Sequence, residues 1–193
     1  MQIDQAEGIV LQTFDFRDYD QIATVFTKER GIIKLIAKNA NRAKNSLKNS
    51  VPIKAEFVYA IGKSEICTLK EIFPKEYYLN LRQNYSCLNT AFECLKCILK
   101  TQMAEKPAPF LYELLQAYLS KLPKLKNYEA ASCSFYLKVL QHEGVLNLNP
   151  EELSKEEIFL MKELAKAASF SHLETLEVPK DFKIRLENLR LLT

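Results

Sequence analysis

The chain has 193 residues, enough for one medium domain or two small ones; it is 48% hydrophobic and 26% charged, an ordinary soluble globular composition. Its formal net charge is only +3, so overall charge says little about partners and its distribution says more. No apolar run approaches the ~18–20 residues needed to span a bilayer, and the start, MQIDQAEGIV, lacks the basic and apolar regions of a signal peptide. Five cysteines without an export signal point to free thiols in a reducing cytosol.

The first ~75 residues read as β structure. Residues 8–14, GIVLQTF, and 21–27, QIATVFT, are rich in β-branched and aromatic types. KERG at 28–31 predicts a hairpin connection with Gly31 at positive φ, leading into a third strand, IIKLIA, at 32–37. A second pair, residues 53–61 and 65–72, flanks Gly62, Lys63 and Ser64. Five short strands with one longer connection after the third suit an OB-type barrel, although an SH3-like barrel gives a similar strand count.

After Pro74 the period changes to that of helices. Leu88, Phe92, Leu95, Leu99 and Met103 mark a helix across 82–103; residues 110–122 predict a second, stopped at Pro123. A third spans 128–142, with Phe135, Leu137, Val139 and Leu140 apolar and Gly144 placed as a C′ residue. Ser154 and Glu157 form a capping-box pattern opening a fourth helix, to about 168, and residues 180–192 suggest a fifth. The expected class is α+β: a barrel domain over 1–78, then an all-α domain over 79–193.

The barrel half carries a concentrated charge. From Lys28 to Lys48 there are seven basic residues, Lys28, Arg30, Lys34, Lys38, Arg42, Lys44 and Lys48, against one acid, Glu29. Clustered cations bind phosphate backbones through counterion release, and the interleaved Asn and Ser add neutral donors. These seven are the candidate DNA-binding residues; the bland alternative is a solvated loop. Phe14, Phe16 and Tyr19 are candidate base-stacking rings, whereas Phe26 and Phe57 read as core. Cys94 and Cys97 form CLKC, but inside a helical pattern with no second pair and no nearby histidine, so buried free thiols are expected and no metal. No Walker A loop, GxGxxG, HExxH or GxSxG is present, so no catalytic residues are assigned and an enzyme is not expected.

These residues, in their order, resemble the bacterial RecO family of recombination mediators. The resemblance runs through EGIVLQTFDFRDYD (7–20), VFTKERGIIKLIAK (25–38) and SLKNSVPIKAEF (46–57), then more faintly through FYLKVLQHEGVLNL (135–148) and KIRLENLRLL (183–192). It implies an N-terminal OB fold and a C-terminal helical domain for protein interaction. It implies a cytoplasmic, nucleoid-associated DNA repair and recombination protein of the RecF pathway. Such a protein binds single- and double-stranded DNA, anneals complementary strands and, with RecR, helps to load RecA onto DNA coated by single-stranded-DNA-binding protein, without nucleotide hydrolysis. The implied contact with that protein's acidic, Phe-ended tail calls for an apolar groove within residues 82–192, with lysines such as Lys138 to meet the acids.

The chain departs from the family pattern in two places. The family's Lys-Gly-x-Arg at the end of the third strand is here KNAN, with Asn39 for the glycine and Arg42 one step beyond the usual arginine. The four-cysteine zinc module of many relatives is missing where the sequence passes from Leu148 through Asn149 and Pro150 toward helix, so no zinc or other cofactor is expected. Two alternatives stay open beside the RecO-like reading. One is a generic OB module for RNA or a protein partner; the other is a redox or metal protein using Cys94 and Cys97.

Overall fold

A computed structural model describes residues 2–40, 51–147 and 152–188. Five strands, β1 (Gln2–Phe16), β2 (Asp20–Thr27), β3 (Gly31–Ala37), β4 (Lys54–Ile61) and β5 (Ile66–Glu76), close into a barrel in the order β1-β2-β3-β5-β4. β1 is shared between two neighbours. Residues Gln2–Ile9 pair with β4 and Gly8–Phe16 with β2, all antiparallel, with a register shift between Val10 and Gln12. Closure comes from a short parallel ladder, Lys34–Ile36 against Ile66–Thr68. This is the OB-type Greek-key barrel, and the strand order removes the SH3-like alternative. Val10, Leu11, Ala23, Val25, Leu35 and Phe57 are among its buried residues.

Two strands outrun their sequence signal. β1 begins at Gln2 rather than Gly8, because pairing with β4 recruits a polar stretch, Gln2–Glu7, that has little strand propensity of its own. β5 continues through Pro74 to Glu76. Pro74 stands opposite Ala55 beside a register irregularity at which Lys75 of β5 is the extra residue, where a missing N–H is tolerated.

The β2–β3 turn is latched from far along the chain. Gly31 has φ +66° and an added Cβ would stand 2.2 Å from the Lys106 carbonyl oxygen. Ala104 bridges Gly31 and Ile32, and the Glu105 N–H donates to the Ile32 carbonyl at 3.3 Å. Tyr112 packs its ring 5.9 Å from that of Phe26.

The helices are α1 (Tyr85–Thr101), α2 (Pro109–Lys121), α3 (Tyr128–His142), α4 (Lys155–Lys166), α5 (Phe170–Leu173) and α6 (Phe182–Asn188). By compactness the chain forms two units: Met1–Leu79 with Gln102–Glu113, and Asn80–Thr101 with Leu114–Thr193. A single cut after residue 78 therefore misses that residues 102–113 group with the barrel.

In the helical unit the local signals hold. Ser154 and Glu157 make a reciprocal capping box, and Gly144 ends α3 at φ +73°. Asn127 caps α3 by accepting from the Ala130 N–H, while its amide donates to the carbonyls of Leu173 and Leu176. α5 has no counterpart in the sequence reading.

The predicted face of α1 needs correction. Leu95 is buried, but Leu88, Phe92 and Leu99 are only half-buried and Met103 lies beyond the helix, exposed. The deepest positions are Cys87, Ala91, Cys94, Leu95 and Ile98. Small residues there let α3 approach closely, which a pattern search for large apolar residues overlooks. Cys94 and Cys97 are thus packing residues. Burial pushes the Cys97 thiol up to about 12 and that of Cys94 well above its ordinary value.

Candidate nucleic-acid interface

The structure divides the predicted basic cluster. Lys28 lies in the β2–β3 turn, where its Nζ is 2.7 Å from Glu113 Oε1. That hydrogen bond raises the lysine pKa further. Arg30, in the same turn, pairs with Asp4 on β1. Thr27 fixes the turn: its hydroxyl donates to the Gly31 carbonyl at 2.9 Å and accepts from the Arg30 N–H at 3.1 Å.

Lys34 and Lys38 are placed differently. Both are exposed, and neither has an ion pair among the described residues. Lys34 stands on the outer face of β3, in line with Thr24 on β2 and Ile66 on β5. Lys38 opens the turn that follows β3. There Asn39 takes φ +56°, a left-handed conformation that asparagine tolerates better than most residues, and its N–H donates to Asp20 Oδ1 at 2.9 Å. Four residues of strand separate the two amines' backbone positions, about 13 Å. Arg42, Lys44 and Lys48 lie outside the described residues.

Arg17 lies outside the basic run, among acidic neighbours that hide it in the sequence. It sits in the β1–β2 turn at φ +56°, exposed, with its guanidinium 5.1 Å from the centre of the Phe16 ring. The pairing of Gln21 with Ala37 brings that turn to the same barrel end as Lys38. One oxygen of Asp20, at the start of β2, is engaged by the Asn39 N–H.

Two further cations near the latched end, Lys54 and Lys75, are also neutralised. Lys54 and Lys75 reach Glu7 at 3.0 and 3.1 Å, Lys75 also reaches Glu56 at 3.3 Å, and the Tyr112 hydroxyl donates to Glu7 at 3.2 Å. Partial burial works to raise the Glu7 carboxyl, but the hydrogen bonds from Lys54 and Lys75 outweigh it and hold the group below the ordinary carboxylate range.

The helical unit contains a groove of about 880 Å³ between α1, α3 and α6. Tyr136 and Ile184 supply apolar surface, and Lys96, Lys100, Lys180 and Lys183 supply positive charge. Lys183 is held by Glu93 at 2.5 Å, and the Ser132 hydroxyl donates to the same carboxylate at 2.8 Å. Burial raises the Glu129 carboxyl in this wall. Lys138, suggested from sequence as a partner for acids, is not available: its Nζ donates to the Ala167 carbonyl at 2.6 Å and stands 5.7 Å from the Tyr118 ring centre. Burial lowers its pKa. Among the described residues no three His, Cys, Asp or Glu side chains group as metal ligands, and no helix is long and apolar enough to cross a membrane.

Residues 1–78 match the family model described as "Recombination protein O N terminal". Among curated proteins the chain is similar to the "DNA repair protein RecO" of Chlamydia trachomatis serovar L2, 28% identical over 145 residues, covering 74% of this chain and 59% of that protein. It is similar to that of Moorella thermoacetica, 30% identical over 124 residues, with 63% and 46% covered. It is also similar to that of Alkaliphilus metalliredigens, 30% identical over 144 residues, with 73% and 58% covered. The chain thus spans about half to three fifths of the length of these relatives.

Proposed function

We propose, from the premise that this chain is a relative of the RecO repair proteins with a RecO N-terminal domain at residues 1–78, that it is a DNA-binding recombination mediator acting without catalysis. The barrel is its DNA-binding part, and the helical residues after it serve protein contacts. The observation that carries this reading is the exposed Lys34–Lys38 side of an OB barrel, free of ion pairs among the described residues, whereas Lys28, Arg30 and Lys54 are committed to carboxylates. Strands 2 and 3 are the face such barrels use for oligonucleotides. Two amines there, with Arg17 beside them and Arg42, Lys44 and Lys48 following in sequence, supply the charge that offsets repulsion between two phosphate backbones. That is the physical requirement for annealing complementary strands without ATP.

The helical groove supports the partner side of the proposal. Its apolar side chains and the lysines other than the Glu93-bound Lys183, namely Lys96, Lys100 and Lys180, suit a short acidic peptide ending in an aromatic residue, the chemistry of the single-stranded-DNA-binding protein's tail. Contact with RecR and assistance to RecA loading complete the proposed role. The test is annealing of complementary oligonucleotides, naked and coated with the binding protein, with and without its tail. Acceleration of both, with the coated reaction dependent on the tail, is the expected result. Failure on naked and coated strands alike, with RNA bound as well as DNA in a matched salt titration, favours the generic OB module.

A further inference from the structure

The barrel face that carries Lys34 also carries an aromatic ring outside the core. Residues directly opposite one another on paired strands share a face. The registers align Phe14, Ile22, Ile36 and Thr68 across β1, β2, β3 and β5. The neighbouring row on the same face is Gln12, Thr24, Lys34 and Ile66. The alternate positions, Ala23 and Leu35, are fully buried, so they line the barrel interior and the Phe14 row faces outward. Ile22 within that row is 3% exposed, yet Phe14 beside it remains 45% exposed, unlike the fully buried Phe26 and Phe57. Phe16 follows two positions on along the same face, with the Arg17 guanidinium by its ring.

We propose that Phe14 is a base-stacking residue of this interface. A single strand crosses the Lys34–Lys38 side with its phosphates toward those amines and lays an unpaired base on the Phe14 ring. The proposal rests on the DNA-binding reading above and adds a preference to it. Phosphate contacts alone give no preference for single strands over the more densely charged duplex, whereas an aromatic ring accepts only a base free of its own stack. Removing one such ring weakens single-strand binding by about ten-fold and leaves duplex binding in place.

The chain contains no tryptophan, so Phe14→Trp places a unique fluorophore at the site. The experiment titrates this variant with oligodeoxythymidine and with a duplex, beside Phe14→Ala, Phe14→Leu and the double variant Lys34→Ala/Lys38→Ala. Thermal melting of each variant checks that the barrel is intact; Phe14→Leu preserves the apolar neighbour of Ile22 if the alanine variant does not fold. The expected result is quenching of Trp emission by the single strand but not by the duplex, with the alanine and leucine variants losing the single-strand preference. Salt-sensitive binding that falls in the lysine variant, with unchanged Trp emission and wild-type single-strand affinity in Phe14→Leu, overturns the stacking proposal and leaves the DNA-binding reading standing. No binding of either nucleic acid by the native chain overturns both.

Discussion

The two ends of β3 carry similar charge in different surroundings. At the start, Lys28 and Arg30 are held by Glu113 and Asp4, and the backbone at Gly31 and Ile32 is latched by residues 104–106. At the other end, Lys34 and Lys38 stand free of ion pairs among the described residues. A cation that already has a carboxylate partner must give it up before it can displace a counterion from DNA; a solvated one need not. Seven basic residues in sequence are therefore not seven equivalent sites for phosphate. The latched end reads as structure, and the open end is the proposed interface.

The largest expected effect lies at the latch. Gly31→Ala combines a left-handed backbone with a Cβ 2.2 Å from a main-chain oxygen, and a loss of about 3 kcal/mol is expected in denaturant unfolding. Gly62→Ala, with nothing within 4 Å of the added Cβ, is the control and is expected to be neutral to slightly stabilising. Equal stability of the two variants would remove the structural role assigned to the turn.

The next effect is on DNA. Lys34→Ala with Lys38→Ala is expected to lower the salt slope of single-strand binding by about 1.4, or about 0.7 for each phosphate no longer neutralised. Lys28→Ala with Arg30→Ala is expected to leave the slope nearly unchanged. Anisotropy titrations over a range of salt read both, and a larger loss from the Lys28/Arg30 pair would reverse the comparison.

A third variant sharpens it from the other side. Glu113→Gln removes the carboxylate that holds Lys28 and is expected to raise DNA affinity by about two-fold at low salt. Affinity that is unchanged or lower would mean that the Lys28 amine faces no phosphate even when released.

The smallest effect concerns acid. Glu7 has a folded pKa below its ordinary value of 4.5 because Lys54 and Lys75 bond its charged form against the opposing effect of burial. Its contribution is therefore full above about pH 4.5 and fades as the pH falls through the lower folded value. Glu7→Gln should flatten the acid limb of the stability profile in that window and change little of its slope at neutral pH. An identical acid limb in both proteins would count against the Lys54–Glu7–Lys75 network.

Local signals were readable wherever one stretch of chain decides its own conformation. The capping box at Ser154 and Glu157, the left-handed Gly31 and Gly144, and the change of period after Pro74 depend on residues a few positions apart. The charge run from Lys28 to Lys48 is equally a property of contiguous sequence. The buried face of α1 is not marked by its large apolar residues, because close packing favours Cys87, Ala91 and Cys94.

What only the tertiary structure decided is which of those charges are spoken for. Glu113 lies 85 residues beyond Lys28, and Asp4 lies on a strand whose presence at that position depends on pairing with β4. No local pattern encodes either neighbour. The outward placement of Phe14 with Lys34 likewise follows from the β1–β2–β3 registers, because a strand's alternation shows that two faces exist, while pairing and closure determine which one becomes the interior.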